Sequence, residues 1–262
     1  MNEKINDTTS RKNILITGAS GGLGYALAIH YANNHVRLVL LGRNEERLKK
    51  TARHCLSRGA EVDIVVADVC SENYECSMKK ISKQMNFDLV IANAGCSSLE
   101  SHAEPNDQSV NHISDVVRTN FEGQVKTIFP LLDGLTKQQG HIVIVSSFAA
   151  FRGLPQDPAY CASKAAASAF FEGCRPHWHK RNIHMTLIYP GFIDTAMVQK
   201  LSTPKPFLMS ATKAASLIAK AVKREQYKLI FPFRLRLLFN LHRLLPAKWV
   251  DWLLLNVEGL ST

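Results

Sequence analysis

The chain has 262 residues, 46% of them hydrophobic and 21% charged, and carries a formal net charge of +10. It shows no linker rich in Gly, Ser or Pro, no repeat and no run of eighteen or more apolar residues. These absences argue for one α/β domain and against a spanning helix. Six cysteines (55, 70, 76, 96, 161 and 174) lack CxxC or His/Cys ligand spacing, which fits reduced thiols in a reducing compartment such as the cytoplasm and predicts no metal site. The basic residues read as widely spread, without an aromatic-interleaved patch in the body of the chain, so nucleic acid is not an expected partner.

Residues 1–11 are polar and mixed in charge, and read as a tail and not as a signal peptide. Residues 13–17 form a short apolar strand. Gly18-Ala-Ser-Gly-Gly-Leu-Gly24 then turns directly into a helix over 25–32. Glycines permit positive φ and close backbone approach, and a helix N-terminus offers unpaired N–H groups to a pyrophosphate. A second strand, 36–41, ends in Gly42-Arg43. Helix 44–58 leads to strand 61–66 and then to Asp68-Val69, where Asp68 is also read as a cap for a helix near 71–84. A fourth strand, 87–92, ends in Asn93-Ala94-Gly95, and residues 110–135 read as a long helix with Asn120 inside it.

The most informative stretch runs from His141 to Ala167. Alternating β-branched residues at 142–145 predict a buried strand that ends at Ser146-Ser147. A loop marked by Gly153, Pro155 and Pro158 precedes a helix on which Tyr160 and Lys164, four apart, share one face. A phenol (reference pKa about 10) beside an ammonium (about 10.4) is a proton-transfer pair, because the nearby cation favours the phenolate. The Ser147 hydroxyl would hold a carbonyl or alcohol oxygen in line with that phenol. Pro176 predicts a kink or early end of this helix. Strand 183–189 leads to Pro190-Gly191-Phe-Ile-Asp-Thr195. Residues 196–209 read as a mobile substrate loop, followed by helix 210–224 and strand 227–231.

Together these segments resemble the short-chain dehydrogenase/reductase family. The matching motifs are the Thr17-Gly18-x-x-x-Gly22-x-Gly24 turn, Asn93-Ala94-Gly95, Ser147 with Tyr160-x-x-x-Lys164, and Pro190-Gly191-x-x-x-Thr195. The resemblance covers about residues 12–231. It implies a single Rossmann-type, doubly wound domain with an approximately seven-stranded parallel sheet flanked by helices. It also implies an oxidoreductase moving a hydride between nicotinamide and a carbonyl or secondary alcohol. Asn120, Ser147, Tyr160 and Lys164 would be the catalytic residues, with Lys164 lowering the phenol pKa and Asn120 holding a water through a main-chain bend. Cofactor contacts would come from Gly18, Ser20, Gly21, Gly22, Leu23, Gly24, Arg43, Asp68, Val69, Asn93, Ala94, Gly95, Tyr160, Lys164, Pro190, Gly191, Ile193 and Thr195.

Gly42-Arg43, where NAD-preferring relatives place an acid, implies NADP(H) ahead of NAD(H). Phe148, Leu154, Phe192 and Met197, with Phe151 and Phe207 nearby, predict an apolar pocket for a hydrophobic ketone, steroid or lipid-like carbonyl. Relatives associate through the helices carrying Asn120 and Tyr160, which implies a homodimer or homotetramer. Residues 232–262 form a basic amphipathic extension with Trp249 and Trp252, read first as docking on the protein, as lid or dimer contact. The alternative is peripheral membrane contact through 232–256. A silent NADP-sensing regulator is a further alternative for the whole chain.

Overall fold

The computed structural model describes residues 11–97, 109–201, 204–234, 246 and 248–249. Its frame is a parallel sheet of seven strands: β1 Lys12–Thr17, β2 Val36–Gly42, β3 Glu61–Val66, β4 Leu89–Ala92, β5 His141–Val145, β6 His184–Pro190 and β9 Lys228–Phe231. They lie in the order β3-β2-β1-β4-β5-β6-β9. Central strands such as β4 and β5 are buried along their whole length, as expected where helices cover both faces of a sheet. One face packs under α1 Gly22–Tyr31, α2 Glu45–Leu56 and α9 Ala211–Lys223, through Leu27, Leu48 and Ile218. The other packs under α3 Tyr74–Gln84 and the helices between β4 and β6, through Met78, Leu135 and Phe171. Strand order reverses between β1 and β4. In open sheets of this kind the carboxyl ends of the strands at that switch point form the ligand crevice.

Several local expectations change. Residues 87–88 precede β4; Asp88 instead accepts the Asn13 N–H at 2.8 Å and ties β4 to β1. The helix expected over 110–135 is a succession: α4 Val110–Val117, a π-helical turn Arg118–Glu122, α5 Gly123–Ile128, a 3₁₀ turn Phe129–Leu131 and α6 Leu132–Gln138. Pro130 lacks the N–H needed to continue the α-helical ladder, which accounts for the 3₁₀ turn. Conversely, α7 Pro158–Lys180 continues past Pro176, so the helix does not end early there. Glu172, the residue whose carbonyl that proline leaves free, is exposed, so solvent can satisfy it, and buried Trp178 anchors the last turn.

The segment expected to be a plain loop contains β7 Ile193–Asp194, α8 Ala196–Gln199 and β8 Met209–Ser210, with β7 and β8 paired in parallel. Asp68 does not cap α3. Its Oδ1 accepts the Cys70 N–H at 2.8 Å, well ahead of the helix start. Most of the 232–262 extension lies outside the described residues, including the apolar stripe read at Leu235, Leu238, Phe239 and Leu245.

Candidate active site

The glycine turn closes the crevice floor. Gly18 has φ +67°, and a Cβ there would sit 2.9 Å from Asn93 Nδ2. A Cβ on Gly24 would run into the Gly18 carbonyl oxygen. Gly21 faces open space and supplies α1 with an N-cap that makes no side-chain hydrogen bond. The first N–H groups of α1 therefore remain available to an anion, which fits a dinucleotide pyrophosphate. The opposite lip is pinned by Thr17, whose Oγ1 accepts the N–H groups of Asn93 and Ala94 at 3.0 Å each. Asn93 returns a bond to the Thr17 carbonyl at 3.0 Å, so this side chain braces the lip.

At the outer end of β2, Gly42 lies against Ser20, and Arg43 projects outward, 70% exposed. Its Nη1 is 3.8 Å from Asp68 Oδ2, which brings together two residues expected at the adenosine end. Buried Val69 packs beneath this end, with Gly123 close against its side chain. At the inner end, Thr195 caps α8 and its methyl packs against Gly22, whose φ is +54°. Ile193 is buried, while Gly191 donates its N–H to the Phe231 carbonyl at 2.8 Å, fixing the turn after Pro190. A cavity of about 480 Å³ opens behind this contact, between α1, α8 and α9, and is lined by Tyr25, Asp194 and Thr212 among others.

The residues expected to transfer a proton converge beyond Gly95. A Cβ on Gly95 would lie 2.9 Å from Asn120 Oδ1 and 3.2 Å from Lys164 Nζ. Lys164 is buried and donates to the Val145 carbonyl at 3.0 Å, and its Nζ is 5.7 Å from the centre of the Tyr160 ring. Ser147 Oγ accepts the Ala149 N–H at 3.1 Å, and the Ser147 side chain is near enough to the Tyr160 phenol to influence its pKa. Asn120 sits in the π-helical turn, fully buried. That turn supplies the main-chain bend expected there.

One electrostatic expectation is overturned. Burial pushes the Tyr160 phenol up to about 12, with the Ser147 side chain acting in the opposite sense. Burial likewise pulls Lys164 down to about 8. For both groups lost hydration is the dominant cause, and neither shift draws on the other group; the ammonium donates to the Val145 carbonyl instead of the phenol oxygen. Tyr160 therefore stays protonated at neutral pH, ready to donate.

Sequence reasoning missed the residues that hold this array in place. Asp157 caps α7 by accepting the Tyr160 N–H at 3.1 Å, and its other oxygen accepts the Ser97 hydroxyl at 2.5 Å. Ser163 accepts from Asn120 Nδ2 at 2.9 Å and donates to the Tyr160 carbonyl at 2.7 Å. Ser146 donates to the Lys164 carbonyl at 3.1 Å. An Asp-Pro pair at the start of a helix was the available signal for Asp157. The four pocket residues are half-buried on segments that follow β5 and β6. Phe151 instead stacks on Tyr189, with ring centres 4.5 Å apart, and belongs to the core.

A parallel sheet with a glycine-lined switch-point crevice, and at its rim a half-buried Ser147 and Tyr160 beside a buried Lys164, defines an oxidoreductase class. Residues 12–206 match the family model described as short chain dehydrogenase, and the chain belongs to that family. It is 33% identical over 247 residues to an uncharacterized oxidoreductase of Myxococcus xanthus (strain DK1622), covering 92% of this chain and 96% of that protein. It is 30% identical to a hydroxysteroid 11-beta-dehydrogenase 1-like protein of Xenopus tropicalis, over 88% of this chain and 82% of the relative. Among solved structures, an alcohol dehydrogenase from Thermococcus sibiricus complexed with 5-hydroxy-NADP aligns with a TM-score of 0.75 at 25% identity. That alignment covers 85% of this chain and 96% of the archaeal one.

Proposed function

We propose that the protein is an NADP(H)-dependent reductase of apolar ketones, steroids or lipid-like carbonyls, able to run in reverse on secondary alcohols. The observation that carries this reading is the convergence of Tyr160 and Lys164 on the rim of the glycine-lined crevice, with Lys164 Nζ 5.7 Å from the Tyr160 ring and close against Gly95, and with Ser147 beside the phenol. The cofactor, when bound, supplies or accepts the hydride at nicotinamide C4. Ser147 positions the carbonyl oxygen and polarises it, and Tyr160 delivers the proton that the nascent alkoxide needs. A phenol held near 12 is protonated at neutral pH and can donate to an alkoxide, a stronger base. Lys164 and the bend at Asn120 provide the route by which the phenol is reprotonated.

Support for NADP(H) comes from Gly42 and exposed Arg43 at the end of β2, which leave room and charge for a 2′-phosphate. The hydroxysteroid name of the Xenopus relative supports the substrate class, as do Phe148, Leu154, Phe192 and Met197 after β5 and β6. The same reading includes a homo-oligomer, because Phe129 and Phe170 lie exposed on neighbouring helices with ring centres 5.9 Å apart. Tyr160→Phe tests the mechanism. It should keep NADPH affinity while carbonyl turnover falls by about 10²–10⁴-fold, read by NADPH absorbance over a carbonyl panel. Near-normal turnover in that variant would end the proposal.

A further inference from the structure

The charge of this chain is concentrated. Residues 196–250 hold eleven lysines and arginines against one acid, Glu225, while the rest of the chain carries equal numbers of both signs. The whole +10 excess thus belongs to the substrate loop, α9, β9 and the extension, although basic residues themselves are spread along the whole chain and are balanced by acids elsewhere. Lys213, Lys220 and Arg224 are seven and four apart, so α9 and its C-cap present them as one exposed stripe opposite buried Ala214, Ala215 and Ile218. None of Lys200, Lys205, Lys213, Lys220, Lys223 and Arg224 has an ion-pair partner among the described residues.

Large apolar side chains stand exposed on the same stretch of sequence: Phe207 at 38%, Leu208 at 47%, Phe233 at 70% and Trp249 at 68%. Arg234 Cζ lies 5.7 Å from the centre of the Phe207 ring. The substrate loop and the start of the extension therefore share one edge of the molecule.

We propose that this flank seats the protein on an anionic lipid bilayer, so that an apolar carbonyl substrate reaches the cleft from the membrane phase. Phosphates alone would satisfy the cations, as a nucleic acid does. A bilayer also offers an apolar layer for Phe207, Leu208, Phe233 and Trp249. The contact is peripheral, since no helix among the described residues is long and apolar enough to cross a membrane. The delivery of substrate rests on the reductase reading; the seating itself does not.

The test is co-sedimentation of the full chain with vesicles of phosphatidylcholine, alone or with roughly one-third phosphatidylserine, in about 0.1 M salt. Binding is expected on the anionic vesicles only, with most of it released in about 0.5 M salt. The triple variant Lys213→Gln/Lys220→Gln/Arg224→Gln should lower the partition coefficient by about thirtyfold or more. Phe233→Ser should lower it severalfold, and both variants should keep the wild-type unfolding midpoint and turnover of a water-soluble carbonyl. Failure of the wild type to bind phosphatidylserine vesicles, or unchanged binding by the triple variant, overturns the proposal. So does preference for duplex DNA over vesicles at equal phosphate. A chain that binds vesicles but reduces no carbonyl keeps the seating and loses the reductase reading; the opposite pairing loses only the seating.

Discussion

Asn120 grips the backbone of Cys96 from both sides, its Oδ1 accepting the Cys96 N–H and its Nδ2 donating to the Cys96 carbonyl, each at 2.8 Å. The same Nδ2 reaches Ser163, which in turn donates to the Tyr160 carbonyl. One buried amide thereby locks the strand end after Gly95 to the helix that carries Tyr160 and Lys164.

Asn120→Leu removes the bonds that Asn120 makes with the half-buried Cys96 N–H and carbonyl and with the buried Ser163 hydroxyl. The expected loss of stability is about 2–4 kcal/mol, measured by urea unfolding. Turnover should fall together with stability, because Lys164 Nζ packs against the same Gly95. A loss below about 1 kcal/mol would contradict the bracing role.

The glycines of the crevice floor are not equivalent. Gly24→Ala drives a methyl into the Gly18 carbonyl, and should cost about 3 kcal/mol or more while abolishing cofactor binding. Gly21→Ala meets nothing within 4 Å and should fold with a wild-type midpoint. Cofactor titration beside thermal unfolding separates the two, and equal behaviour would reject the close-packed turn.

The grouping of Tyr160 with Lys164, the glycine turn and the strands were legible because each is local: a periodicity, a spacing or a turn residue written within a few positions. What was not legible is set by distance in sequence. Nothing near Asn120 announces that its amide will meet Cys96 or Ser163, 24 and 43 positions away. The spacing of Tyr160 and Lys164 put them on one face, but it could not weigh dehydration against attraction. Burial therefore reversed the expected direction of the phenol shift. Pro176 misled for a related reason: its effect depends on whether the freed carbonyl faces solvent, and that depends on how α7 lies on the sheet.

Acid stability offers an independent check on the core. His141 Nε2 lies 2.7 Å from Thr186 Oγ1, whose own proton goes to the Gln226 carbonyl at 2.7 Å. Nε2 must therefore carry the proton, and the buried ring is neutral. Burial, helped by His184, pulls its pKa down to about 4. The unfolded chain binds this proton at higher pH than the folded one, so stability is complete above about 6.5 and is lost as pH falls towards 4. The loss is at most about 3 kcal/mol. His141→Gln, which keeps a donor for Thr186, should flatten that part of the stability–pH profile. An unchanged slope between pH 6.5 and 4 would place the acid sensitivity elsewhere.

On the proposed reading, with the adenosine end of the cofactor at Arg43 and Asp68, cofactor choice turns on a competition between these two side chains. Arg43 is drawn towards Asp68, at 3.8 Å, and both side chains are substantially exposed. A 2′-phosphate beside Arg43 would take over that guanidinium and face the Asp68 carboxylate as well. Arg43→Ala removes the attraction and leaves the repulsion, so NADPH should weaken by about ten- to a hundredfold while NADH changes by less than about threefold. Asp68→Asn removes only the repulsion and should tighten NADPH severalfold, with the Cys70 N–H still held by the amide oxygen. Fluorescence titration of both dinucleotides against the wild type and the two variants gives four ratios. Parallel losses of NADPH and NADH in Arg43→Ala would show that the guanidinium reads something common to both cofactors, and the assignment of the 2′-phosphate to this corner of the crevice would fall.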